Sequence, residues 1–327
     1  MVKMLDFNIS LRKQYYDCYD VMIMTLCDYF KADGSKMFCW RWGFNYSSRK
    51  TARHISLYDN MYINRDNDEV CRLLEKYIGL TVRGFHYTSF EDFERFVEKN
   101  ITVGLPVGIV INTVNCPWNP LYRLQSIRHC ALIFGYDEDK YYLKEPYFSQ
   151  ETLAIDRKIF NSELVMLQWN VKFEKPTEYK FWDMVKNGFA YVYGDNYCKY
   201  DSLMEYAEDL RELVEIDLKD DLSMADVRYI PSLRAMRNLS SEREGLLFFL
   251  SSNSDVVPRF IIELVKHCVE KWKVCLNLYI RLYLTRNTKQ VDKIAELIRE
   301  IATIEKEIHI ETLKYVSFLN EPSGVRL

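Results

Sequence analysis

The 327-residue sequence has few residues that break regular structure, with 11 Gly and 8 Pro in all. Flexible linkers and low-complexity tracts are usually rich in such residues, so this composition argues against both. Hydrophobic residues make up 48% of the chain and charged residues 28%. That balance is typical of a folded protein and excludes a mainly disordered one. A chain of this length can form one large domain or two ordinary ones, and we expect two.

The sequence also lacks an excess of positive charge, with 44 Lys and Arg against 47 Asp and Glu, a formal net charge of -3. Binding to nucleic acid or to an anionic membrane surface depends on a basic field, so we expect neither as a partner. No apolar run reaches the roughly 20 residues that would cross a bilayer. The first residues carry charges every few positions and contain no apolar leader, so we expect a cytoplasmic protein.

The nine cysteines do not follow the spacing of a disulfide framework or of a zinc site. No CxxC pair is present, and an odd number of cysteines cannot pair completely. Together with the missing leader, this predicts reduced thiols. We assign no metal site and no bound cofactor.

Hydrophobic periodicity predicts a helix over residues 17–31, with Asp17 as its N-cap and Cys18 in its first turn. A loop of about 16 residues precedes His129, and loops of that length are usually functional. The runs 129–134 and 141–143 flank a polar turn and therefore predict a hairpin. Periodicity also predicts helices over 67–78 and 89–100 and strands over 81–87, 107–111 and 165–173.

The polar segment 174–178, which contains Pro176, is the predicted border between two domains. The pattern then predicts helices over 202–215, 240–250, 258–284 and 287–318. In the last one a heptad-like apolar stripe favours packing against the preceding helix; it consists of Leu297, Ile301, Ile304 and Ile308. We therefore expect an α+β fold, with one domain over residues 1–175 and a helical domain over 176–327. The stripe leaves open both an internal core and a homo-oligomer through the C-terminal helices.

One cysteine, one histidine and one carboxylate occupy positions that suit nucleophilic catalysis. Cys18 lies at a helix start, where unpaired amides and the helix dipole favour a thiolate. His129 begins the first strand of the hairpin and Glu145 ends the second, so the hairpin would bring them together. His129 would draw the thiol proton, and Glu145 would orient the imidazole. Asp17 and Asp20 oppose the thiolate form of Cys18, because nearby anions raise a thiol pKa.

The segments YYDCYD, CPWNPLY and HCALIFGYDEDKYYLKEP resemble the butirosin-biosynthesis BtrH family of papain-like acyltransferases. The hairpin is also similar to peptidases that remove double-glycine leaders from secreted peptides. The resemblance covers residues 10–175. It implies a papain-like fold with Cys18 as acyl acceptor, His129 as general base and Glu145 as the acid that orients it. Most such relatives have Asp before Pro where this chain has Glu145.

Four further residues are assigned roles near the candidate site, one of them through the same resemblance. Papain-like enzymes place a Gln upstream of the nucleophile as an oxyanion donor, which falls on Gln14, closer to Cys18 than usual. Trp118 and Tyr122 in the long loop are candidates for lining an acyl or amine pocket, with loop packing as the alternative. Cys130 alternates to the other side of its strand from His129, and we interpret it as a core residue.

The resemblance implies transfer of an acyl group from the phosphopantetheine thioester of an acyl or peptidyl carrier protein. The thioester is thus a co-substrate, and Cys18 passes the acyl group to an amine of a small molecule, in peptide- or aminoglycoside-type antibiotic biosynthesis. Two alternatives remain, a cysteine peptidase or amidase with the same residues and an inactive binding or scaffold protein. Because carrier proteins are acidic, transfer also predicts a basic docking surface, with Lys266, Lys271 and Lys273 as candidates.

Overall fold

The fold is seen in a computed structural model of the chain, which describes residues 2–6, 17–46, 61–62, 68–145, 151–160, 164–193, 200–220 and 231–320. The chain divides into two compact units. The first combines residues 1–36 with 68–177, and the second combines residues 37–67 with 178–327. The described residues contain no helix that is both long enough and apolar enough to span a membrane.

An antiparallel sheet organises the first unit. The strands within the described ranges are β1 (Lys3–Met4), β2 (Asn45–Tyr46), β3 (Met61–Tyr62), β4 (Leu80–Phe85), β5 (Val107–Asn112), β6 (Arg128–Tyr136), β7 (Lys140–Lys144), β8 (Thr152–Asp156) and β9 (Val165–Phe173). The sheet runs β4-β9-β5-β6-β7-β8, and β1 pairs with β6. The strands β2 and β3 pair only with each other and belong to the second unit.

The helices of the described ranges are α1 (Cys18–Phe30), α2 (Asp68–Tyr77), α3 (Phe90–Thr102), α4 (Phe181–Tyr193), α5 (Tyr200–Asp220), α6 (Pro231–Ser252), α7 (Arg259–Thr285) and α8 (Val291–Asn320). Helices and an antiparallel sheet in one chain agree with the expected α+β class. Among these elements, the helix α4 and the strands β1, β2, β3 and β8 were not predicted from the sequence. The strand β8 is a short sheet edge with no fully buried residue, which leaves little hydrophobic signal.

The two faces of the sheet are covered by different helices. Ile109 and Ala131 lie on the face that packs in one core with Phe93 of α3. The opposite face carries Gly108, and a Cβ built there would lie 3.4 Å from the sulfur of Met22 in α1. Because side chains alternate along a strand, α1 therefore covers the face to which the even-numbered residues of β5 and β6 point.

Residues 37–46 belong to the second unit, although they were expected in the first domain. Trp42 packs edge-on against Phe189 of α4 at 5.1 Å, and the Tyr46 hydroxyl donates to Asp209 of α5 at 2.9 Å. Aromatic residues of this segment thus complete the helical core, a long-range packing effect that local periodicity does not contain.

A buried ion pair crosses the core of the second unit. The helix α8 packs against α7, as expected, and also against α5, and its residue Glu305 is fully buried. The Nε and Nη2 atoms of Arg243 donate to Glu305 at 2.8 and 3.2 Å, and the indole of Trp272 donates at 3.0 Å. A carboxylate can stay ionised in such a core only when its oxygens are paired in this way.

Two glycines with positive φ provide a matched stability test. Gly79 and Gly104 have φ of 85° and 83°, but an added Cβ would lie 2.0 Å from the Glu174 carbonyl at Gly79 and would meet nothing within 4 Å at Gly104. Gly104→Ala should lower the free energy of unfolding by about 1 kcal/mol through backbone strain alone. Gly79→Ala should cost a further ~1–3 kcal/mol because of the clash. Equal losses in urea unfolding would contradict this difference.

Candidate active site

The first residue of α1 is Cys18, and the local sequence explains why the helix begins there. The Asp17 carboxylate accepts a hydrogen bond from the Asp20 amide at 2.8 Å, and the Asp20 carboxylate accepts one from the Asp17 amide at 3.5 Å. This reciprocal capping box satisfies two amides of the first turn. The carboxylates of Asp17 and Asp20, which were expected to raise the pKa of Cys18, are thus directed at the helix backbone.

The hairpin of β6 and β7 brings the histidine to the carboxylate. His129 is the second residue of β6, and Leu132 pairs with Lys144 in the register of the two strands. One step further, Glu145 comes opposite Ala131, whose side chain shares a face with that of His129. The His129 Nε2 and Glu145 Oε1 atoms are 2.9 Å apart, and both side chains are almost completely buried. The two groups form an ion pair when the imidazole is protonated.

Two side chains of the long loop hold the Glu145 carboxylate. The Trp118 indole donates to Oε2 at 2.8 Å, and the Asn119 amide donates to Oε1 at 3.3 Å. Glu145 therefore has three polar partners at 2% exposure. The Glu145 carboxylate reaches His129 despite its extra methylene relative to an Asp.

The Cys18 sulfur interacts with two consecutive residues of β6. A hydrogen bond from the Cys130 thiol is the strongest of the effects that hold the pKa of Cys18 well below its usual value. Burial opposes this effect, while a hydrogen bond and the charge of His129 reinforce it, together with the backbone amide of Cys130. Cys130 is buried, as expected for a core residue, but its partner is the candidate nucleophile.

The pKa of His129 shifts in the opposite direction from that of Cys18. Burial by itself lowers the pKa of an imidazole, but the contacts with Cys18 and Glu145 outweigh that effect and raise the pKa of His129 to about 9. Both shifts favour the pair of thiolate and imidazolium, which is the reactive form of a cysteine nucleophile. At other thiols of the chain burial is the dominant effect, and it raises the pKa of Cys39, Cys116, Cys268 and Cys275.

Trp118 and Tyr122, the two loop residues predicted to line a pocket, have different surroundings. Trp118 binds Glu145 and packs against Phe160, with ring centroids 6.0 Å apart. Tyr122 lines a cavity of about 480 Å³ together with the polar residues Asn115 and Arg123 and the apolar residues Val114, Pro117, Ile159 and Leu164. Trp118 is not among the lining residues. Gln14 lies outside the described residues.

The lysines proposed for docking are not a free basic surface. Lys266 lies 3.8 Å from Glu263, Lys271 lies 2.6 Å from Glu300 and Lys273 lies 3.4 Å from Glu244. Glu263 lies in the same helix as Lys266, whereas Glu300 and Glu244 belong to neighbouring helices. Each lysine thus has an acidic neighbour, and docking of a carrier at these three residues stays a prediction.

The described residues contain no group of three or more His, Cys, Asp or Glu side chains that could hold a metal ion. In comparisons with known proteins, no family model and no curated protein matches the chain.

Alkylation as a function of pH tests the ion pair. We expect iodoacetamide at pH 6 to modify Cys18 before Cys27 or Cys71, because the lowered pKa keeps Cys18 a thiolate where ordinary thiols are protonated. His129→Ala should slow this reaction at pH 6 at least about tenfold, through loss of the charge that lowers the thiol pKa. Peptide mapping by mass spectrometry measures both. Earlier labelling of Cys27 or Cys71, or no change in His129→Ala, would contradict the assignment.

Proposed function

We propose that the protein is a cysteine-dependent acyltransferase with a papain-like catalytic unit. The observation that carries the proposal is the continuous contact from Cys18 to His129 to Glu145, with the carboxylate fixed by Trp118 and Asn119. A thiolate at a helix start, an imidazole on a neighbouring strand and a buried orienting acid form the arrangement that acyl transfer through a thiol requires. A helix that carries the nucleophile against a sheet that carries the base supports the papain-like assignment.

The donor is a thioester. A Cys18 thiolate and a protonated His129 are the forms that attack on a thioester requires. The Cys18 thiolate attacks the carbonyl carbon, and the carbon–sulfur bond of the donor breaks. The departing thiolate takes the proton that His129 holds, and His129 then removes a proton from the attacking amine. The amine forms the new bond to carbon as the Cys18 thiolate leaves. The backbone amide of Cys18, at the first position of α1, supplies one donor to the oxyanion.

The charge around the long loop supports an anionic donor. No acidic residue occurs between Glu98 and Asp137, whereas Arg123 and Arg128 lie in this segment and are exposed. Arg123 borders the cavity with its guanidinium 4.9 Å from the centre of the Tyr122 ring. An acyl or peptidyl carrier protein is acidic and its phosphopantetheine arm carries a phosphate. We therefore propose that the carrier docks at this loop instead of at the helical lysines.

Thioester transfer is also the reaction that needs least from the site. Exchange of one thioester for another is nearly neutral in free energy, and attack by an amine then runs downhill. A peptidase or amidase with the same three residues must instead activate a far less reactive amide. The two features that favoured an inactive protein have other roles here, since Glu145 reaches His129 and the aspartates cap α1.

Intact-protein mass spectrometry with acyl-carrier thioesters tests the reaction. Wild type should gain the mass of the acyl group, whereas Cys18→Ala and His129→Ala should not. Glu145→Gln should react more slowly, because an orienting carboxylate contributes less than the base itself. Trp118→Phe removes one donor to Glu145 and should slow acylation about tenfold, the effect of a hydrogen bond to a charged group.

Tyr122→Phe is the matched control for Trp118→Phe, because it alters a ring of the same loop that lines the cavity. It should retain the wild-type rate of acyl-enzyme formation. No acylation of wild type by any thioester, combined with cleavage of a peptide, would replace transferase by peptidase. Equal rates for His129→Ala and wild type would refute the catalytic assignment.

Charge reversal tests the docking region. The double variant Arg123→Glu and Arg128→Glu should raise the apparent KM for a carrier-bound donor about tenfold, because charges at the rim of an interface act mainly on association. Reaction with a small neutral acyl thioester should be unchanged. The control reverses Lys266 and Lys273, whose glutamate partners leave little net charge, and it should alter neither KM. If the arginine variant raises KM equally for both donors, or for neither, the proposed docking region is wrong.

A further inference from the structure

Cys130 is a second thiol at the candidate site, and the proposed reaction does not use it. Its place follows from the register of the sheet, in which Val110 pairs with Cys130 and Gly108 with Leu132. The side chain of Cys130 therefore lies on the face that α1 covers. On that face the Tyr19 ring, one residue after Cys18, packs edge-on against Trp169 at 5.4 Å, and Trp169 pairs with Gly108.

The contact between the two thiols follows from this packing. The Cys130 thiol and its backbone amide both donate hydrogen bonds to the Cys18 sulfur. A disulfide needs the two sulfurs at about 2 Å and α-carbons about 4.4–6.8 Å apart, so its two residues must lie on elements in direct contact, as α1 and β6 are. The two residues differ in access: Cys18 is partly exposed, whereas Cys130 is 8% exposed. An oxidant from solvent therefore meets Cys18 first.

We propose that Cys130 is a resolving cysteine, which converts a peroxide-oxidised Cys18 into a reversible Cys18–Cys130 disulfide. The oxidant is a peroxide, and the disulfide blocks the nucleophile while protecting it from further oxidation. Formation of the disulfide stands on the geometry of the two thiols alone. Its effect on acyl transfer rests on the proposed function.

The chemistry balances in two steps. In the first, the Cys18 thiolate attacks one oxygen of the peroxide, a sulfur–oxygen bond forms and the oxygen–oxygen bond breaks. The sulfur is oxidised to sulfenic acid, and the peroxide is reduced to an alcohol or water that takes up a proton. In the second step the Cys130 sulfur attacks the Cys18 sulfur, a disulfide bond forms and the sulfur–oxygen bond breaks. The departing hydroxide takes the Cys130 proton and leaves as water.

The presence of a resolving thiol decides the fate of the oxidised enzyme. A sulfenic acid without a nearby thiol reacts with more peroxide to sulfinic acid, which common thiol reductants do not reverse. A disulfide, in contrast, returns to two thiols on reduction. The same oxidation therefore becomes a switch when Cys130 is present and damage when it is absent.

The test uses the full chain, hydrogen peroxide as probe, and the variants Cys130→Ser and Cys71→Ser. Cys71 is the control because it is also partly exposed, while its thiol donates to the Val82 carbonyl at 3.3 Å. After brief oxidation and alkylation of free thiols, peptide mapping identifies the state of each cysteine. Wild type and Cys71→Ser should lose two hydrogens and give a Cys18–Cys130 linked peptide. Cys130→Ser should instead gain two oxygens on Cys18.

Reduction completes the test, with each variant's activity before oxidation as its own reference. Dithiothreitol should restore most of the activity of wild type and Cys71→Ser, and little of that of Cys130→Ser. Wild type that gains two oxygens on Cys18 as fast as Cys130→Ser, or that links Cys18 to another cysteine, would overturn the proposal. If the Cys18–Cys130 link forms in a protein without acyl transfer, the resolving role stands and the proposed function fails.

Discussion

The buried carboxylate of Glu145 is the constraint on which the first unit's candidate site depends. An ionised carboxylate at 2% exposure is costly unless its oxygens are paired. Here the partners come from two places, the ring of His129 and the loop residues Trp118 and Asn119. Their contacts offset the cost of burial and at the same time fix the imidazole and the loop. One carboxylate thus links the strand β6, the end of β7 and the segment that lines the cavity.

The electrostatics of Cys18 and His129 follow from this arrangement. Burial disfavours charge on both groups, but each stabilises the charge of the other and Glu145 adds a second anion beside the imidazole. The Cys130 thiol and amide make the same contribution on the cysteine side. Attraction between opposite charges increases as water is excluded, which is why a thiolate and an imidazolium persist together in a site that would oppose either alone.

The second unit shows the same principle without a catalytic group. Arg243 and Glu305 are almost fully buried, and the Arg243 guanidinium also lies 5.2 Å from the centre of the Trp272 ring. Buried ion pairs add little net stability over an apolar core, but loss of one partner is costly. The pair therefore specifies which faces of α6, α7 and α8 meet, beyond what an apolar stripe alone would select.

Local sequence was sufficient for much of the fold and for the identity of the candidate residues. Periodicity determined most helices and strands, because it records which face of an element is buried, and Asp17 determined where α1 begins. The hairpin spacing was sufficient to pair His129 with Glu145, because register is a local property of two strands joined by a short turn. The edge strand β8 has no fully buried residue and so lacks a comparable pattern, whereas α4 carries an apolar periodicity that was overlooked.

Only the tertiary structure decided which distant residues surround that pair. Trp118 and Asn119 bind Glu145 across 27 and 26 positions of sequence, and Cys130 meets Cys18 because α1 covers one face of β6. The same holds for residues 37–46, whose aromatic rings complete the core of the second unit. These contacts depend on how whole elements pack, and a periodic pattern specifies that a face is buried but not which partner covers it.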